Sequence, residues 1–196
     1  MRKVITTIFA VFCIGISSMQ VIAQENEQGI RTLLTERDDQ IKELLGPEGQ
    51  EYSEEQRENL KEIINGIIDF EAMAKTALAD TYNEISAESR TEFIDLFSTI
   101  VRDHSMNKLE IYRAVVTYNS IEVEDGSALV KTMAELDEVR TPVDYKMVLE
   151  GEEWVITDMS VDDLWTAESY KNQFQRIIAR RGFDALMDSL RKRAAQ

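Results

Sequence analysis

The feature that most constrains this chain is a change in the spacing of its apolar residues near Val115. Before that point they recur every three or four positions, as on one face of a helix; after it they alternate, as on one face of a strand. Helical stripes run through Ile30, Leu33, Leu34, Ile41, Leu44 and Leu45, then Leu60, Ile63, Ile64, Ile67 and Ile68, then Phe70, Met73, Ala74, Ala77 and Leu78, then Phe93, Leu96, Phe97, Ile100 and Val101. Alternation follows in Ile121 and Val123, in Leu129 to Met133, in Val143, Tyr145, Met147 and Leu149, and from Trp154 to Val161. Helices return at the end, through Tyr170, Phe174, Ile177 and Ile178, a break at Gly182, and Phe183, Leu186, Met187 and Leu190. Helices, then strands, then helices imply an α+β domain with a four-stranded antiparallel meander.

Local signals fix where the elements begin and stop. Ser53 with Gln56 three residues on forms a capping box, and Asp69 and Ser86 are further N-cap candidates. Gly46-Pro47 stops the first mature helix, and Asp125-Gly126 is the strongest hairpin turn. A second turn is expected at Glu150-Gly151, and ELDEVR (135–140) reads as a polar connection between strands. By simple alternation Trp154 and Ile156 face opposite to Val155, Met159 and Val161. With eight Gly, two Pro and no repeats, one compact domain is expected.

At the N-terminus, Arg2 and Lys3 precede an apolar run from Val4 to Ile16, with small residues after it and Ala23 as the expected cut. That run is shorter than the roughly 18 residues a membrane span requires, so residues 1–23 read as a secretory signal peptide and residues 24–196 as the domain. The one cysteine, Cys13, lies within the leader, so the exported domain must be held by its core without disulfides. Losing Arg2 and Lys3 makes it two units more negative than the −15 of the whole chain, which disfavours nucleic acid and anionic membrane surfaces as partners.

Catalytic chemistry is scarce. The single histidine, His104, allows no histidine pair or His-rich metal site, and no nucleophile-elbow, zinc-helix or phosphate-loop motif occurs. Asp158, Asp162 and Asp163 lack the spacing of a calcium loop and read as strand-end and helix-capping acids. No metal or cofactor is expected. One enzymatic alternative is a cone-shaped, NTF2-like pocket in which a buried Asp works with Tyr hydroxyls, or a binder of small apolar ligands. Asp144 and Tyr145 are the obvious pair for it, but neighbouring strand residues point to opposite faces.

The runs IIDFEAMAKTAL, ISAESRTEFIDLF, TPVDYKM, WVITDMSV and SYKNQFQRIIARRGFDALMDSL, in that order after a leader, resemble the MlaC-type periplasmic phospholipid-binding proteins. The resemblance spans nearly all of the expected mature chain. Its most specific elements are Asp69-Phe70, Phe93 with Phe97, Val143-Asp144-Tyr145, and Tyr170 with Gln173-Phe174 before Gly182. It implies a four-stranded sheet packed by helices around an apolar cavity that takes phospholipid acyl chains as cargo. It also implies a monomeric periplasmic shuttle between an outer-membrane lipoprotein complex and an inner-membrane ABC transporter with a lipid-binding ring, in service of outer-membrane lipid asymmetry.

Physical chemistry agrees with such a role. Two acyl chains hold roughly 30 methylenes at ~0.8 kcal/mol each, so a carrier must offer a dry, apolar site nearly as good as a bilayer and no better. The expected lipid-binding wall is Met73, Phe93, Phe97 and Ile100 from helices, Val143, Tyr145, Met147, Met159 and Val161 from strands, and Trp165, Tyr170, Phe174 and Ile177 from the C-terminal helices. Flexible, polarisable methionines suit chains of varied length. The head group is expected to stay in water at the mouth, with Lys171, Asn172 and Gln173 facing solvent.

Overall fold

The computed structural model of the chain describes residues 14–107 and 109–195. Residues 1–13 of the expected leader lie outside them; from Ile14 the backbone is helical and runs straight into the first helix, α1 (Ile14–Leu45). Among the described residues no helix is long and apolar enough to cross a membrane.

The helix signals read from the sequence act as expected. α1 buries Ile30, Leu34, Ile41 and Leu45 and ends where Gly46, at φ 56°, turns its N–H back to the Lys42 and Glu43 carbonyls. Arg113 then pins that end, donating to the carbonyl of Gly46 at 2.7 Å and to the Tyr52 hydroxyl at 3.1 Å. α2 (Glu54–Asn65) carries the full capping box, with Gln56 N–H to Ser53 Oγ at 3.2 Å and Ser53 N–H to Gln56 Oε1 at 3.1 Å. Asp69 caps α3 (Phe70–Leu78) through the Ala72 N–H at 3.0 Å, and Ser86 caps α5 (Ala87–Met106) through the Ser89 N–H at 3.1 Å. Each such cap stabilises its helix by about 1 kcal/mol. Between α3 and α5 the chain turns at Ala79, φ 49°, into a single helical turn, α4 (Thr81–Glu84), which no sequence signal announced.

After a 3-10 turn (Leu109–Arg113) the strands β1 (Val115–Glu124), β2 (Ser127–Leu136), β3 (Val139–Glu150), β4 (Glu153–Val161) and β5 (Leu164–Trp165) form one antiparallel meander in chain order. The sheet therefore has five strands and not four. ELDEVR is not a connection either: β2 and β3 run through it and turn on Asp137 and Glu138 alone, at φ 48° and 67°. Asp162 and Asp163 make the same kind of turn into β5, at φ 53° and 61°. Positive φ at both central residues is what a type I′ hairpin requires, and aspartate tolerates it better than most residues with a Cβ. α6 (Thr166–Arg181) and α7 (Phe183–Ala194) close the chain, separated by Gly182 at φ 81°.

Two bulges reset which side chains share a face. Asn119 is skipped between the Tyr118↔Thr132 and Ser120↔Lys131 pairs, so Tyr118 joins Ile121 and Val123. Thr157 is skipped between Lys146↔Asp158 and Met147↔Ile156, so Trp154 and Ile156 lie on the same face as Met159 and Val161. Plain alternation had put them on opposite faces; the extra residue reverses the parity.

That face packs against α1 in a cluster of Ile30, Leu34, Ile121, Val130, Met147, Trp154 and Ile156. A second cluster joins α3, α5, α6 and α7 around Met73, Phe93, Phe97, Phe174 and Leu186. The segment before α3 ties the two together. Ile156 N–H donates to the Ile67 carbonyl at 2.7 Å, Asp69 N–H donates to the Ile156 carbonyl at 2.9 Å, and Ile68 packs against both clusters.

Candidate functional site

The expected wall residues fall into two groups facing different neighbours. In the helical group Phe93 and Phe97 stack at 5.6 Å, and Phe174 meets both edge-on at 5.7 and 5.9 Å. Tyr170 stands edge-on to Phe97 at 5.0 Å. The 3.6-residue period places Phe93 and Phe97 one turn apart on α5 and Tyr170 and Phe174 one turn apart on α6, so two aromatic pairs interlock. Met73, Phe93 and Phe97 are completely buried, and Ile100 and Phe174 nearly so; only Tyr170 and Ile177 keep open surface.

The sheet group is looser. Register sets Val143 beside Val161 and Tyr145 beside Met159 on adjoining strands. Met147 is buried at the α1 end of this face, whereas Val143, Tyr145 and Met159 are only partly covered and Val161 is 40% exposed. Trp165 joins neither group. It pairs across the ladder with Ser160, on the opposite face, and its ring lies under the Lys146 ammonium at 4.1 Å.

Ile68, Ile156 and Tyr118 belong to this region and were not expected in it. Ile68 had a signal in the sequence: an apolar residue just before the Asp69 cap, with Met73 at the fourth helical position, is the hydrophobic-staple pattern. Tyr118 and Ile156 had none, because their facing depends on the bulges.

The electrostatics of the sheet face favour neutral donors. Burial pushes the Tyr112 hydroxyl up to about 12, with a hydrogen bond to Ser105 opposing it. Burial likewise raises Tyr118, against a hydrogen bond to Thr35, and raises Tyr145 further. All three are protonated at neutral pH. On the other face of β4, Asp158 is 3% exposed and accepts the N–H groups of Met159 and Ala167, both at 2.9 Å, anchoring the first turn of α6. Burial raises its pKa, and those two backbone bonds pull against the shift. Asp144, also on that far face, accepts the Thr132 N–H at 3.3 Å, so the Asp144 and Tyr145 side chains diverge. His104 is exposed in the last turn of α5.

Two surface clefts of about 540 Å³ lie elsewhere. One is lined by Gln40, Glu43, Leu44, Gln56 and Ile63, the other by Glu58, Lys61, Glu62, Asn65, Gly66 and Arg102. The first belongs to the α1/α2 packing and the second is ringed by charge, so neither offers a long apolar surface.

The profile of the family described as MlaC protein matches residues 35–192. No curated protein is significantly similar in sequence. Among solved structures, the phospholipid-binding protein from Ralstonia solanacearum, solved in complex with a phospholipid, superposes with a TM-score of 0.72. It is 21% identical, and the match covers 87% of this chain and 97% of that one.

Proposed function

This chain belongs to the MlaC protein family, and from that premise we propose that it binds a phospholipid between its helical aromatic cluster and the partly open face of its sheet. The observation that carries this reading is the contrast within one layer of the fold. Val143, Tyr145 and Met159 stay incompletely covered and Val161 is exposed on the same face where α1 closes over Ile121, Val130, Met147 and Ile156. Dry apolar surface left open at that depth is what acyl chains would cover. The lipid bound by the fold-matched Ralstonia solanacearum protein supports the same reading.

The same proposal extends to a wider role. The protein is a periplasmic carrier, exported by its leader and cleaved after Ala23, that moves phospholipid between an outer-membrane lipoprotein complex and an inner-membrane ABC transporter with its lipid-binding ring. It works as a monomer and performs no catalysis. The lipid is held mainly by the summed burial of its chains, at ~0.8 kcal/mol per methylene.

Native mass spectrometry of the protein purified from an envelope fraction tests the reading. About one phospholipid per chain is expected, with mixed head groups. A folded, monodisperse protein that carries none and takes up none from vesicles would overturn it.

A further inference from the structure

The large apolar side chains that the sheet leaves exposed are not scattered. Among the described strand residues they are Val115, Val139, Leu149, Val161 and Leu164, and all but Leu149 lie at the end where β1 begins and the β2–β3 and β4–β5 turns are made. Val115, paired with Glu135, is turned to the far face. Register puts the other three on the face that carries Val143, Tyr145 and Met159. Val161 stands between Val143 and Leu164, and Val139, on the same side as Val143 by two-residue alternation, pairs with Leu136. β3 continues outward from Val143, its last pair with β4, so Val139 projects about 13 Å beyond it. Val139 and Leu164 keep 64% and 69% of their surface. One such residue needs no explanation, but a run of them at the open end of an apolar face marks a contact surface.

The border of this run is acidic. Its two turns hold Asp137, Glu138, Asp162 and Asp163 at their tips, all exposed, while the one nearby base on the hairpin, Arg140, is paired with Glu135 at 3.5 Å. All four turn residues sit at positive φ, and Glu138 at 67° is the least suited to it, so the carboxylates are kept where glycine or asparagine would be easier. We infer that this end of the sheet is a docking surface for a protein face with an apolar centre and a border of Lys and Arg, seated over the mouth of the lipid site. The inference rests on the lipid-binding reading above and adds to it the surface across which lipid is handed over and the chemistry of the partner. The charges choose the occupant. A second copy brings the same four carboxylates against these, and an anionic lipid surface meets them first, at the turn tips, where like charges repel. A basic border pairs with them while the apolar centre covers Val139, Val161 and Leu164.

The test uses the mature chain loaded with phospholipid and, as probes, the two purified partners proposed above, the transporter's lipid-binding ring domain and the outer-membrane lipoprotein. Binding is read by biolayer interferometry at about 50 and 300 mM NaCl. At least one probe is expected to bind, about tenfold more weakly at the higher salt. Val139→Ser with Leu164→Ser should weaken that binding by about tenfold or more. Asp137→Asn with Asp162→Asn and Asp163→Asn, which asparagine accommodates at positive φ, should weaken it and flatten its salt dependence. Native mass spectrometry should find the lipid content of both variants unchanged. Binding by neither probe, or binding that either variant retains in full, overturns the inference, while lipid still carried by the chain leaves the lipid-binding reading standing. Attachment to phosphatidylglycerol vesicles or self-association through the same residues, in place of probe binding, overturns it too. Loss of lipid from the Val139→Ser, Leu164→Ser chain does so by assigning those residues to the lipid. A wild type that holds no lipid overturns both.

Discussion

The helical aromatic cluster and the sheet face are made of the same kinds of residue and behave differently. Phe93, Phe97, Phe174 and Tyr170 satisfy one another, ring against ring, at centroid distances of 5.0 to 5.9 Å, and Phe93 and Phe97 retain no accessible surface. Val143, Tyr145 and Met159 stand in a row with partners beside them and incomplete cover above. Helices bring side chains together from several directions, so interlocking pairs fill space; a strand face needs a second layer to do so. Here α1 supplies that layer over Ile121, Val130, Met147 and Trp154 but leaves the β3 and β4 residues beyond Met147 partly open. One cluster is closed upon itself, and the other keeps accessible apolar surface.

Substitutions separate these two roles. Phe97→Ala removes a fully enclosed ring and should cost about 3 to 5 kcal/mol in urea unfolding, with lipid loss following from loss of the fold. Asp158→Ala strips the acceptor from the Met159 N–H within β4 and from the Ala167 N–H that ties α6 to β4, and should cost about 1 to 3 kcal/mol. The pH dependence of that cost has a definite sign. Because the carboxyl is raised in the folded state, its contribution is full below its ordinary value near about 4 and declines as pH rises through the folded value. The wild type's margin over Asp158→Ala should therefore be larger at pH 4 than at pH 7, and unfolding titrations at both values measure it.

Met159→Ala reverses the balance. The side chain is only partly covered, so the unfolding cost should stay near about 1 to 2 kcal/mol. Lipid retention should meanwhile fall by about tenfold in vesicle exchange. Lys171→Ala, which loses an exposed pairing with Glu168 on the water side of α6, should change stability by less than about 0.5 kcal/mol and leave retention alone.

Much of this arrangement is legible in the sequence, for a physical reason. Caps, stops and glycine turns act over three or four residues, so Ser53 with Gln56, Asp69, Ser86, Gly46 and Asp125-Gly126 announce themselves. The aromatic pairs on α5 and α6 follow from helical spacing. What stays hidden depends on strain accepted elsewhere: the turns at Asp137-Glu138 and Asp162-Asp163 put residues with a Cβ at positive φ without a glycine, and so conceal a fifth strand. The bulges at Asn119 and Thr157 are likewise set by ladder pairing and not by local preference. Of the candidate site, the helical side could be read from spacing, whereas the sheet side needed the bulge at Thr157 before Met159, Val161, Trp154 and Ile156 fell on one face. Trp165 shows the converse: two residues past the Asp162-Asp163 turn, it lies with Ser160 on the far side.

The most direct measurement exploits that bulge. A photoreactive benzophenone amino acid placed at Met159, and in a second variant at Val155, samples opposite faces of β4 in proteins loaded with the same phospholipid. Irradiation should attach lipid covalently at position 159 and leave position 155 unlabelled, as mass spectrometry of the tryptic peptides would record. Labelling at 155 without labelling at 159 would contradict a lipid site on the face between the sheet and the helices.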